Sequence, residues 1–234
     1  MKCTRHLKRA AAVLALVFLQ VSAAYAGPPL ICHAFDIGGA NSIPFHGPEW
    51  AAIDPTYDVS RLVDDTLALL TPETPVLVHM ETLRRATIYT RNRSDIASAL
   101  LQRLQARASA VTNNNRSDRE ALMAWFDLGY LASAYREAAM ISRGTHEAFW
   151  RFNQSDPKDI DGYALVMKAI SRGGGPEMEF AAALITTERG GQTHDRHLQK
   201  AIAGANEDAL LARNLETHFA TSAAALRAKT LATK

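Results

Sequence analysis

The chain has 234 residues, 47% of them hydrophobic, 21% charged and 7% aromatic, with a formal net charge of +2. That balance excludes a disordered charged tail, a collagen-like repeat and a disulfide-rich miniprotein. It supplies enough apolar side chains for the core of one large domain.

The chain opens on an address. Lys2, Arg5, Lys8 and Arg9 make a basic start, Ala10 to Leu19 an unbroken apolar run, and Ala24-Tyr25-Ala26 a small-x-small site before Gly27-Pro28-Pro29. The apolar run is half the ~20 residues of a bilayer-spanning helix, so residues 1–26 read as a Sec-type secretory signal peptide. The expected location is periplasmic or extracellular. Cleavage removes four of the 26 Lys and Arg and none of the 24 Asp and Glu, leaving 22 basic against 24 acidic residues, a net −2. Nothing then favours a nucleic-acid partner, which requires a basic face. No later stretch approaches the ~18 apolar residues of a membrane span, so no transmembrane segment is expected in the mature chain. Of the two cysteines only Cys32 remains, and an intramolecular disulfide is ruled out.

Residues 27–58 hold five of the nine prolines, together with Gly38-Gly39 and Gly47, and sustain no helical period. They predict an irregular arm lying on the rest of the protein, since its apolar residues cannot form a core alone. From residue 59 the pattern is helical. Leu62, Val63, Thr66, Leu67 and Leu70 share a face, and Thr71-Pro72 interrupts them. Val76, Met80, Leu83 and Thr87 continue at helical spacing, with a short strand at Val76-Leu77-Val78 as the alternative. Ile96, Leu100, Leu101, Leu104, Ala108 and Val111 form an amphipathic stripe. Ser117-Asp118-Arg119-Glu120 is a capping box, and helices follow near 118–142, 159–172, 176–188, 194–204 and 207–228. The expected fold is all-α, with residues 59–234 as a single helical domain.

Around Ile141, Ile170 and Ile202 the sequence repeats: a helix end, small or turn-forming residues, then an acidic residue opening the next helix at Glu147, Glu177 and Glu207. The isoleucines stand 29 and 32 residues apart, as stacked helical hairpins produce. A short α-α array of antiparallel hairpins is therefore expected, with an irregular helical bundle as the alternative. Within the repeat, Trp125-Phe126-Asp127-Leu128-Gly129 fits a W-x-x-L-G opening, and Lys168-Ala169-Ile170 is followed by Pro176. On these residues, 117–220 resembles a degenerate tetratricopeptide-type repeat. It departs from that family at Ala132, where a tyrosine belongs, and at Asn153, where a closing proline belongs; the spacing is also short of ~34. The resemblance implies a curved surface that binds a peptide or another protein.

Four groups of residues are weighed as candidates for function. Cys32, His33 and Asp36 carry a thiolate, an imidazole and a carboxylate, a set that can hold Zn²⁺ or Cu⁺, although a buried Cys with a neighbouring His pinning the arm explains them more simply. Trp125, Tyr130, Tyr135 and Trp150 gather aromatics that can line a peptide groove, or can be core between hairpins. His194 and His197 share a helix face at i, i+3, with Thr193 expected to cap that helix and His194 in its exposed first turn. Arg84-Arg85, with Arg91, Arg93, Arg103 and Arg107, reads as a solvated face on which Glu81 pairs with Arg85. No Gly-x-Ser-x-Gly, Ser-x-x-Lys, Rossmann or Walker pattern occurs, which leans away from a common enzyme. The sequence thus points to an exported helical-repeat module for protein or peptide interaction in the bacterial cell envelope. The rival is a metal- or thiol-dependent protein centred on Cys32 and His33, and a third reading is a structural subunit of a homo-oligomer.

Overall fold

In the computed structural model the described residues are 29–47, 49–113, 118–144 and 157–219. The signal-peptide reading of 1–26, the Ser117 cap, the Glu147 helix start and Trp150 lie outside them. Among the described residues the fold is all-α, with eight α-helices and no strand beyond one isolated bridge, Phe45 to Ile53. No helix among them is long and apolar enough to cross a membrane.

The helices are α1 (Leu62–Leu69), α2 (Val76–Tyr89), α3 (Ser94–Asn113), α4 (Asp118–Gly144), α5 (Gly162–Ser171), α6 (Pro176–Thr186), α7 (Gly191–Gly204) and α8 (Ala209–Phe219). Local signals set several of the ends. Asp161 accepts from Ala164 N at 3.0 Å and caps α5. Pro176 occupies the first turn of α6, where its missing N–H costs nothing. Asp208 accepts from Leu210 N and Leu211 N and opens α8, one residue beyond the Glu207 expected there. Gly190 at φ 57° and Gly191 at φ 74° take the chain out of α6 and into α7 through conformations that other residues resist. Because α7 starts at Gly191, Thr193 sits inside the helix and does not cap it.

Helix α2 is the centre of the molecule. Every residue of it but Arg85 is buried, so no strand forms at Val76–Val78: a helix buried all round shows no two-residue alternation. Helices α1, α4 and α6 pack against α2, and the most extensive contacts join α4 with α5 and α6 with α7. Both pairs run antiparallel and touch where side chains vanish. A β-carbon on Gly129 would lie 2.6 Å from the Gly162 carbonyl oxygen, and one on Gly204 would overlap Pro176. The glycine of the Trp125–Gly129 motif therefore serves close helix packing. Helix α4 runs unbroken through that motif for 27 residues. A helix-turn-helix unit of ~34 residues would turn within that length. The hairpin that the repeat implies is present between Ile170 and Ile202, as α6 and α7.

Among the described residues the arm contains no helix before Val59, and side chains that satisfy its backbone fasten it to the helical body. Glu81 Oε2 accepts from Phe35 N at 3.0 Å. Arg84 Nη1 donates to the carbonyls of Ile31 at 3.0 Å and Trp50 at 2.8 Å, and Arg85 Nη1 to that of Ile43 at 2.7 Å. Tyr89 OH donates to Pro44 O and accepts from Asp54 N. Leu30, Ile31, Phe35 and Ile43 then complete the core. The arginine pair read as a solvated face is turned to the arm, with Arg85 half-buried. Arg84 is fully buried, its guanidinium paired with Glu81 at 2.7 and 2.9 Å, because a segment lacking its own secondary structure needs partners for its carbonyls.

Candidate functional site: a cleft between the arm and three helices

The three arm residues considered for metal binding point to three different places. The Cys32 thiol is half-buried and pushed up to about 12, by burial first and then by the charge of Glu137, against the pull of Arg84. A thiol so protonated is a poor nucleophile and a poor ligand. His33 stands edge-on to His218 with centroids 5.8 Å apart, its pKa lowered by burial and by Arg84. Asp36 faces Arg213, which donates Nε to Oδ2 at 2.6 Å and, with Gly38 N, holds the carboxyl low. Its backbone is paired with Asn214 in both directions, at 2.9 and 2.8 Å. Among the described residues no group of three or more His, Cys, Asp or Glu is placed to hold a metal ion. Asp36 fastens the arm to α8 through Arg213 and Asn214.

Of the candidate aromatic residues that are described, only Trp125 borders an opening, a shallow depression of about 280 Å³ shared with Leu128, Leu165 and Lys168. Tyr130 and Tyr135 are fully buried and Trp125 nearly so. Tyr130 stacks on Phe126, Tyr135 donates to Ala97 O, and the Trp125 ring is covered by Lys168 Nζ, 3.8 Å from its centroid. Helix α4 turns these faces inward because α2, α3 and α5 enclose it. Trp150 lies outside the described residues. A buried His79–Asp127 pair, Nδ1 to Oδ1 2.6 Å, is likewise structural: His79 Nε2 reaches Thr71 O, so both ring nitrogens are committed to the protein.

What the fold does form is a cleft of about 280 Å³ where the arm meets α4, α5 and α6. Pro29 and Leu30 close one side. Helix α4 contributes Ser133, Arg136, Glu137 and Met140; α5 contributes Tyr163; α6 and the turn after it contribute Leu184, Ile185, Glu188 and Arg189. Met140 is one of two large apolar residues exposed among the described ones, at 42%. Ser133 is already engaged, donating to Gly129 O, and Arg136 donates to Ile160 O. Glu137 accepts from Leu30 N at 2.9 Å. Burial raises its carboxyl well above the usual range; the Leu30 and Ile31 amides pull it back and the charge of Glu188 adds to the rise. Its carboxyl lies at the floor of the cleft.

The wall holds a second arrangement. Tyr163 OH lies 2.8 Å from His197 Nε2, and His197 Nδ1 lies 2.6 Å from Glu179 Oε2. The other Glu179 oxygen accepts from Lys200 Nζ at 2.8 Å. With Glu179 as a carboxylate, Nδ1 of a neutral His197 carries the proton, and Nε2 accepts from the phenol. His197 and Glu179 are 5% and 6% exposed, whereas Tyr163 is half-buried and borders the cleft. The pair His194 and His197 does not converge: His194 Nδ1 turns back to Ala183 O. Sequence reasoning selected His197 but missed its partners, because Glu179 and Tyr163 stand 18 and 34 residues away.

No protein-family model, curated protein or solved structure matches this chain.

Proposed function

We propose that the protein is an exported helical module that binds a protein or peptide segment in the cell envelope, with the cleft between the arm, α4, α5 and α6 as its contact site. The observation that carries this reading is the cleft itself, with exposed Met140 at an opening otherwise edged by Arg136, Glu188 and Arg189. An adaptable thioether among charged groups suits an apolar anchor with polar flanks. The α6–α7 hairpin and the close Gly129–Gly162 packing support the tetratricopeptide-like reading of the helical array. The basic start, short apolar run and Ala24-Tyr25-Ala26 site support export, and the mature form should begin at Gly27 by intact mass.

The test is site-specific photo-crosslinking in cells, with the crosslinker at Met140 and, as control, at Ile53, the other exposed large apolar residue. One partner of defined mass captured from Met140 and not from Ile53 supports the reading. No adduct, or the same set from both positions, overturns it.

A further inference from the structure

We propose that Tyr163 is a base-activated nucleophile and that the cleft is a site of phosphoryl transfer, with His197 as the base and Glu179 as the residue that orients it. Three observations lead there. The nucleophile-to-base and base-to-carboxylate hydrogen bonds of 2.8 and 2.6 Å have the order and lengths that activate a hydroxyl. The base and its orienting carboxylate are buried and fixed between α6 and α7, and the remaining Glu179 oxygen is occupied by Lys200, so the relay is rigid. Of the three residues only Tyr163 lines the cleft. Helix packing does not require such a network, since apolar residues of similar size hold a helix pair at least as well as a buried ion pair.

The surroundings select the substrate class. Arg136 and Arg189 line the same cleft with Glu188 and Glu137, whose carboxyl is already engaged by the Leu30 amide. A phosphate ester, with an anionic group at the arginines and an organic leaving group toward Met140 and Leu184, fits that lining. In the reaction, Tyr163 Oη forms a bond to phosphorus while the bond from phosphorus to the leaving oxygen breaks. The phenolic proton passes to His197 Nε2 and from there to the departing oxygen. Water then attacks phosphorus and gives a proton to His197 Nε2, the Oη–P bond breaks, and that proton passes to Tyr163 Oη. Burial raises the Tyr163 phenol above its ordinary value, so the base is needed for any of this near neutral pH.

An aryl fluorophosphonate tests the proposal on the whole mature chain, because the adduct forms by the same step with fluoride as leaving group. The expected result is a single adduct, mapped by peptide mass to Tyr163 and absent in Tyr163→Phe. Its formation should slow about a hundredfold in His197→Gln and in Glu179→Gln, with melting temperatures close to the parent. Tyr57 serves as an internal control that needs no variant to fold: it too is half-buried and donates to a carboxylate, Asp65, but has no histidine. Absence of the adduct, labelling of Tyr57 at the rate of Tyr163, or an unchanged rate in His197→Gln overturns the proposal. The adduct needs no protein partner. Labelling of Tyr163 without a crosslink from Met140 removes the binding reading alone, and the reverse removes this one alone.

Discussion

Gly129 of α4 and Gly162 of α5 meet backbone to backbone: a β-carbon on Gly162 would lie 2.5 Å from the Gly129 carbonyl oxygen, and one on Gly129 would lie 2.9 Å from Leu165 Cβ. Neither obstacle is the free end of a flexible side chain, so the helices themselves must part. Gly129→Ala should cost about 2 kcal/mol or more, a fall of roughly 4–8 °C in Tm. Gly39→Ala, with nothing within 4 Å of the added carbon, is the matched control and should be close to neutral. Thermal unfolding by circular dichroism separates the two.

Glu81 gathers three donors, Arg84, Arg85 and the Phe35 amide, in a fully buried position. Glu81→Gln leaves the Arg84 charge buried without its counter-charge, and should cost about 3–5 kcal/mol by urea unfolding at pH 7. Burial pushes the Glu81 carboxyl up, but the hydrogen bonds and charges of Arg84 and Arg85 outweigh it and hold the group below its ordinary value. The unfolded chain then binds the proton more readily. The Glu81 contribution is therefore complete above the ordinary carboxylate range and is lost as pH falls through the depressed value. The variant should lack that part of the acid limb.

His218 is stacked on Phe35 at 4.5 Å and packed against Phe180, and burial lowers its pKa from 6.5 to about 4. Between those values the unfolded state carries the extra proton, so stability falls as pH drops from about 6.5 toward 4. The loss attributable to this one ring reaches about 3 kcal/mol at the bottom of the window. His218→Phe keeps the ring packing and should flatten the difference between pH 7.5 and pH 5, measured by urea midpoints. Equal slopes in parent and variant would count against the buried neutral imidazole.

Cys32, with its thiol raised to about 12, should react with iodoacetamide at pH 8 roughly a hundredfold or more slowly than a free cysteine. Ellman titration before and after urea unfolding checks this: one thiol should appear promptly only in the unfolded chain. A fast reaction in the folded state would restore Cys32 as a reactive group.

Periodicity carried the helical body. The stripe from Ile96 to Val111 lies within α3, and the expected helix at 118–142 is observed as Asp118–Gly144. Helical spacing is local physics, and these segments bury one face in the ordinary way. The reading of α2 was harder for the opposite reason, since a helix buried on all sides carries charged residues that look exposed. The Glu81–Arg85 pairing at four residues was legible, and its Nε–Oε1 distance is 2.7 Å. Its burial was not, because that depends on an arm 30 to 50 residues earlier. The same limit hid the cleft. Glu137, Tyr163, Glu179 and His197 come from four helices, and no spacing rule joins them.

The hydrogen bonds that fasten the arm have an effect on how the molecule comes to be. Asp36 is paired with Asn214, 178 positions later, and Leu30 with Glu137, 107 positions later. A chain released from its N-terminus therefore exposes Leu30 and Asp36 long before α4 and α8 exist to receive them. Contacts of such separation are slow to form, and until they do Leu30, Ile31 and Phe35 remain open to wrong neighbours. The arm emerges before the helices that lock it.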